Sequence, residues 1–208
     1  MNYPHKLVPI QEGLTLYVPD NELVKSTYES LLANNAATLF PFWAKIWPAS
    51  KAMCTFLQTE THYIKGKRVL EIGAGVGLPS FVIAKHSSEI IISDYATDAI
   101  TLLEKNIKHL GLSNAKAMCL DWNHFPSDIT ADVILLSDIN YAPAEFNSLL
   151  ILIQRFLAQG STIIIATPQR ITASPFVEKL AQYIKRSELH PIQNEFELTD
   201  IRMLVLSF

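Results

Sequence analysis

Arg68-Val-Leu-Glu-Ile-Gly-Ala-Gly-Val-Gly-Leu-Pro-Ser80 opens as a short apolar run and breaks into glycines at 73, 75 and 77. Val69 to Ile72 reads as a buried strand. After Pro79 the pattern Phe81-Val-Ile-Ala84 is apolar and helical. Strand, glycine turn and helix in this order make the phosphate or cofactor turn of a doubly wound α/β sheet. Each glycine then allows a positive φ, or a ligand approach that a Cβ would block. The helix that follows offers unpaired N–H groups to an anion.

Working outward, alternating strand and helix patterns continue to the end of the chain. Downstream strands are expected at Glu89–Ser93, 115–120, Asp132–Ser137 and Ser161–Thr167, with helices at 96–109, 145–157 and 174–184. The run Asp132–Ser137 is continuously apolar inside, as in a strand covered on both faces. Residues 188–196 and 201–208 read as a closing hairpin. Upstream, residues 6–18 read as two short strands around Glu12-Gly13. A helix follows over Glu22–Ala33, capped by Asp20, ended by Asn34-Asn35, with an apolar face of Leu23, Val24, Tyr28, Leu31 and Leu32. Another helix is expected from Ser50 to Ile64, burying Met53, Phe56, Leu57 and Tyr63.

Between those helices lies Phe40-Pro-Phe-Trp-Ala-Lys-Ile-Trp-Pro-Ala-Ser50. It is either a plug that packs the N-terminal extension onto the core or a lid over a cationic ligand, since an aromatic face attracts a cation. Composition alone favours the plug.

The composition fits one globular domain with an extension: 208 residues, 49% apolar and 18% charged. A net charge of −3 without a basic run leaves no electrostatic footprint for nucleic acid. No apolar run approaches membrane-spanning length. The polar start is not a signal peptide. Two distant cysteines, Cys54 and Cys119, point to reduced thiols in a cytoplasmic protein. The six histidines are scattered, so no metal site is expected.

In an open parallel sheet, ligands sit beyond the carboxyl ends of the strands. Those tips carry Asp94-Tyr95, Asp121-Trp122 and Ser137-Asp138-Ile-Asn140-Tyr141. Asp94 can accept from ribose hydroxyls or cap the next helix. Asp121 can take an adenine amino group or serve as a turn residue beside a core tryptophan. Asp138, Asn140 and Tyr141 are placed to touch a reacting group, the alternative being Asp138 as a turn former and Tyr141 as a wall. Arg170, at the tip of the fifth strand, pairs with a site carboxylate or is solvated, with the balance toward solvation.

Gly-x-Gly-x-Gly after Glu71 resembles motif I of the class I, seven-strand methyltransferases that use S-adenosylmethionine. The resemblance covers roughly residues 40–208. Pro41-Phe-Trp-Ala-Lys-Ile-Trp-Pro48, Asp121-Trp122 and Asp138-x-x-Tyr141 are further similar to the protein-lysine branch related to the enzymes that modify the electron-transfer flavoprotein β subunit. The chain departs from that branch at Ala49-Ser50, usually glycines, and at Ala142-Pro143, where an acidic residue is common.

The resemblance implies a doubly wound, mostly parallel seven-stranded sheet. Residues 1–47 would form an extension and aromatic lid, and 48–208 the S-adenosylmethionine-binding domain. It implies cofactor contacts from Trp47, Glu71, Gly73, Ala74, Gly75, Gly77, Asp94, Tyr95, Asp121, Trp122 and Ser137. It places Asp138, Asn140 and Tyr141 at the acceptor, an amine nitrogen of a protein lysine. The alternatives are a small amine as acceptor, a nicotinamide-type nucleotide-binding module, and a degenerate fold that only makes protein contacts. A base-modifying enzyme fits less well, since the fourth-strand tip lacks Asn/Asp-Pro-Pro-Tyr/Phe.

Overall fold

A computed structural model describes residues 3–35, 40–193 and 198–208. The chain begins with an antiparallel hairpin, β1 (His5–Gln11) and β2 (Leu14–Pro19), followed by α1 (Asn21–Asn34) and α2 (Pro48–Thr59). Then come β3 (Arg68–Ile72), α3 (Leu78–Ile83), β4 (Glu89–Asp94), α4 (Thr97–Leu110) and β5 (Ala115–Cys119). The remainder is β6 (Val133–Ser137), α5 (Phe146–Ala158), β7 (Thr162–Pro168), α6 (Ser174–Leu180), β8 (Ile184–Gln193) and β9 (Leu198–Leu206). The expected elements are all present with small shifts at their ends. Asn194 to Phe196 of the closing hairpin lie outside the described residues.

The main sheet has seven strands in the order β5-β4-β3-β6-β7-β9-β8. The first five are mutually parallel, and β9 runs antiparallel to both β7 and β8. The order reverses at β3, which has β4 on one side and β6 on the other. A crevice opens at such a switch point beyond the strand ends.

Strand residues alternate between two cores because successive side chains point to opposite faces. Val69, Ile90, Ile92, Val133, Leu135 and Ile164 pack under α2, α3 and α4. Leu70, Ile91, Ile134, Leu136, Ile163 and Ile165 pack under α5 and α6. Both faces are covered, so the strands read as continuous apolar runs.

The N-terminal hairpin joins the first core through Leu14, Leu16 and Val18. Buried Asn106 of α4 pins it, accepting from the Tyr17 amide at 2.7 Å and donating to the Tyr17 carbonyl at 2.9 Å. On α2, Met53, Phe56 and Leu57 are buried as expected; the helix ends at Thr59, short of the expected Ile64, and Tyr63 lies half-buried in a separate 3-10 turn. Asp20 caps α1 by accepting from the Glu22 amide at 3.2 Å. The apolar face of α1 is a correction: Val24 alone is buried among its described residues, and Leu23 and Leu32 remain 47% and 39% exposed. The helical period is real, but the cover is partial: Val24 packs with Tyr3 and Ala44, and the Tyr28 ring meets Phe40 edge-on at 5.1 Å.

Candidate active site

The glycine turn between β3 and α3 is held in shape from three directions. Gly73, Gly75 and Gly77 all have positive φ, at 67°, 54° and 75°. The Ala74 amide donates to the Ser93 carbonyl at 2.9 Å, and the Ser93 hydroxyl donates to the Glu71 carbonyl at 2.8 Å. The Gly75 amide donates to Asp94 Oδ2 at 2.8 Å, while Asp94 Oδ1 accepts from the Ala96 amide at 2.9 Å. Burial raises the pKa of Asp94, and these backbone donors oppose the rise. Asp94 therefore spans the turn and the entry to α4, where Ala96 is the N-cap.

Close approach at Gly75 comes from the chain itself. A Cβ there would lie 2.8 Å from the Trp43 carbonyl oxygen. This contact seats the aromatic segment on the glycine turn. Trp43 also meets Tyr3 edge-on at 5.5 Å, and neighbouring Ala44 is buried. Trp43 is thus the plug. Phe42 and Trp47 line a cleft that Trp43 also borders, and Trp47 Nε1 donates to the Phe42 carbonyl at 2.9 Å. The Lys45 ammonium lies 4.7 Å over the Trp47 ring. The two readings of the segment are divided between its residues.

The cleft lies at the switch point and has a volume of about 1030 Å³. Gly73, Ala74 and Gly75 form its floor; Asp94 and Tyr95, Asp121 and Trp122, and Ser137 with Asp138 line it from the tips of β4, β5 and β6. Phe42, Trp47 and Tyr141 form its aromatic mouth, with the Phe42 and Tyr141 rings 5.6 Å apart. Phe42 and Tyr141 stay 49% and 46% exposed. A Cβ on Gly73 would come within 3.0 Å of Ile139 Cγ2 and 3.6 Å of Trp122 Cζ3, so the floor is shaped by the absence of side chains.

Asp121 turns the chain, accepting from the Asn123 amide at 2.8 Å and meeting His124 Nδ1 at 2.9 Å. The His124 contact is the largest cause of its lowered pKa. Trp122 Nε1 donates to Glu145 Oε2 at 2.8 Å. Asp121 and Trp122 are turn and wall residues that also face the cleft. Glu145, which also lines it, is a residue the sequence offered only as a helix start.

Glu71, Gly77 and Asn140 are corrected in position. None lines the cleft. Glu71 is buried beneath α3, where Oε2 accepts from the Ser80 amide at 3.1 Å and the Ser80 hydroxyl at 2.5 Å. Desolvation pushes its pKa up to about 7, against the lowering effect of Ser80. Glu71 thereby occupies an amide in the first turn of α3 that the sequence left for an anion. A Cβ on Gly77 would lie 2.5 Å from Leu103 Cδ2 and crowd Phe81 and Ile92, so this glycine serves packing. Asn140 is fully buried, its Oδ1 accepting from Thr167 Oγ1 at 3.0 Å. It ties the loop after β6 to β7.

Asp138 lines the cleft just beyond the tip of β6, with its backbone at φ 57°. Both of its carboxylate oxygens meet the guanidinium of Arg170, Oδ2 to Nη2 at 3.0 Å and Oδ1 to Nη1. The expected solvation of Arg170 is overturned. The less favoured of the two sequence readings, pairing with a site carboxylate, is the one observed; its partner is decided by the sheet, which makes the tips of β6 and β7 neighbours. Burial raises the Asp138 pKa, and Arg170 offsets part of that rise. Burial likewise raises the Tyr141 phenol. No helix among the described residues is long and apolar enough to cross a membrane.

Comparison with known proteins adds to this geometry. Residues 32–183 match the model of a family described as lysine methyltransferase. A calmodulin-lysine N-methyltransferase of Arabidopsis thaliana is 31% identical over 72% of this chain and 52% of its own length. The human histone-arginine methyltransferase METTL23 is 31% identical over 50% of this chain and 58% of its own. The zebrafish (Danio rerio) protein N-lysine methyltransferase METTL21A is 31% identical over 76% and 77%. The chain thus spans about half the length of the first two relatives and most of the third. Among solved structures, the N-methyltransferase NodS of Bradyrhizobium japonicum, in complex with S-adenosyl-L-homocysteine, superposes with a TM-score of 0.61 at 16% identity, covering 86% of this chain and 98% of that one.

Proposed function

The chain belongs to the lysine methyltransferase family, and from that premise we propose that it moves a methyl group from S-adenosylmethionine to an amine nitrogen of a protein lysine. The observation that carries the reading is the single cleft floor and mouth described above. It joins a side-chain-free glycine turn, acidic strand tips and an aromatic entrance within about 1030 Å³, a size suited to a cofactor-sized ligand.

The residues fit the cofactor. Asp94 lines the cleft and, beyond the bonds it accepts from backbone amides, retains acceptor capacity for a ribose hydroxyl. The buried Ser137 hydroxyl faces the cleft and has no partner among the described residues. Trp122 and Asp121 offer an apolar plane and a carboxylate to an adenine. Ala74 and Tyr95 complete the floor and rim. Trp47 covers the methionine end, and its indole is already fixed by Phe42. When bound, S-adenosylmethionine supplies an electrophilic methyl group on a sulfonium.

The chain's own contribution is alignment and desolvation. Holding the acceptor nitrogen in line gives an effective-concentration advantage without further covalent chemistry. The acceptor must arrive without its proton, and an aromatic, half-dry channel favours the neutral amine. Phe42 and Tyr141 line that channel, and Asp138 offers remaining lone pairs to an amine N–H.

Calorimetric titration with S-adenosylhomocysteine tests the cofactor: binding that Asp94→Ala weakens supports it, and no binding to the folded chain sinks it. Transfer of labelled methyl from S-adenosylmethionine into cell lysate, followed by separation of protein from small molecules, tests the acceptor. Arginine is a second acceptor reading, favoured by the name of the METTL23 relative. Hydrolysis of the labelled protein separates methyllysine from methylarginine. The free thiols Cys54 and Cys119 support a cytoplasmic setting.

A further inference from the structure

We propose that Arg170 is a positioning residue for the acceptor: it clamps Asp138 at the cleft mouth and so sets the charge that the incoming amine meets. The inference rests on the methyl-transfer reading above.

The geometry is specific. Asp138 is the non-glycine residue with positive φ among the described residues. Aspartate tolerates that region better than most side chains, yet the conformation needs surrounding support. Support comes from β7 and the segment that follows it: the Asp138 amide donates to the Ala166 carbonyl at 2.8 Å, and Arg170 bridges the carboxylate. The planar guanidinium fork fixes both oxygens together, which a lysine cannot do. The Asp138 side chain is only 6% exposed, whereas Arg170 is 35% exposed. The cation reaches the dry carboxylate from the solvent side, leaving the cleft side of Asp138 open.

The consequence is electrostatic. A bare buried carboxylate beside a lysine would stabilise the ammonium. The ammonium has no lone pair with which to attack. With Arg170 in place, the charge is balanced and Asp138 retains lone pairs to orient an amine by hydrogen bonding. The clamp thus separates orientation from charge capture. Other ionisable groups facing this corner are Tyr141, whose phenol senses Asp94, Glu145 and Asp138, and Lys45 on the opposite wall.

The test uses the full chain with Arg170→Gln and Arg170→Lys. Carbon-13 NMR titration of aspartate carboxyls, assigned with Asp138→Asn, reads the clamp directly. Loss of the guanidinium should raise the Asp138 pKa, since the cation that opposes its burial is gone, with the lysine variant between. Labelled-methyl transfer from S-adenosylmethionine into lysate protein, measured from pH 6 to pH 10 (roughly the span of a perturbed lysine), should shift its midpoint upward in Arg170→Gln and be partly rescued in Arg170→Lys. Affinity for S-adenosylhomocysteine should change less than about twofold, since Arg170 does not line the cleft. An unmoved Asp138 titration, or a fall in transfer with an unchanged pH midpoint, overturns the clamp and leaves Arg170 a structural prop. Failure of the wild-type chain to bind S-adenosylhomocysteine overturns the underlying methyl-transfer reading instead.

Discussion

The Gly75 amide donates to the Asp94 carboxylate at 2.8 Å, so the turn after β3 and the tip of β4 are fastened by one side chain. Asp94 holds the floor of the cleft in shape and still presents lone pairs to it.

Asp94→Ala is accordingly expected to do two things. It leaves the Gly75 and Ala96 amides without their acceptor, at a cost of about 1–3 kcal/mol. It also lowers S-adenosylhomocysteine affinity about tenfold or more. Denaturant unfolding and calorimetry read the two effects separately. Intact affinity in a folded variant would remove Asp94 from the proposed ribose contact.

Gly75→Ala combines a φ of 54° with a Cβ 2.8 Å from the Trp43 carbonyl oxygen. Gly13→Ala, at φ 72° with open space around it, bears the backbone cost alone. The Gly75 variant should lose more stability than the Gly13 variant by about 1–3 kcal/mol. It should also free the aromatic segment, visible as raised hydrogen exchange at residues 42–47. Equal losses in the two variants would mean that Trp43 yields without penalty.

Glu71 gives a pH signature. Burial lifts its folded-state pKa from the ordinary value of 4.5 to about 7. Across that window the folded chain binds a proton that the unfolded chain does not, so stability falls as pH rises from about 4.5 to about 7. The penalty is fully present above that window and amounts to about 2–4 kcal/mol. Glu71→Gln should flatten this slope in unfolding curves taken at several pH values. A slope that survives in the variant belongs to another group.

Asn106→Ala removes both hydrogen bonds that hold Tyr17 to α4. The expected loss is about 2–4 kcal/mol, since two backbone groups lose a buried partner. Faster amide exchange should follow across β1 and β2, with the main sheet protected. If the hairpin keeps its protection, then Leu14, Leu16 and Val18 suffice to dock it.

Much of the architecture was legible because its signals are local. Apolar runs marked β3, β4, β6 and β7, and Gly73-Ala-Gly75-Val-Gly77 marked the turn. The lining residues Asp94, Asp121, Trp122, Asp138 and Tyr141 were legible for the same reason: each follows a recognisable strand. Glu71 and Asn140 misled because flanking a motif says nothing about which face a side chain takes. Glu71 points under α3 to Ser80, and Asn140 points back to Thr167. Helix α1 misled because an apolar period specifies a face without specifying a partner to cover it.

The sequence by itself determined the alternation of strands and helices, the place of the glycine turn, and the set of polar residues at the strand tips. These follow from backbone sterics and side-chain periodicity, which act within a few residues. Only the tertiary structure decided that Trp43 closes over Gly75, that Glu71 serves α3 instead of the cleft, and that Arg170 neutralises Asp138. Those outcomes depend on strand order and burial, which bring residues tens of positions apart into contact and determine which charges lose their water.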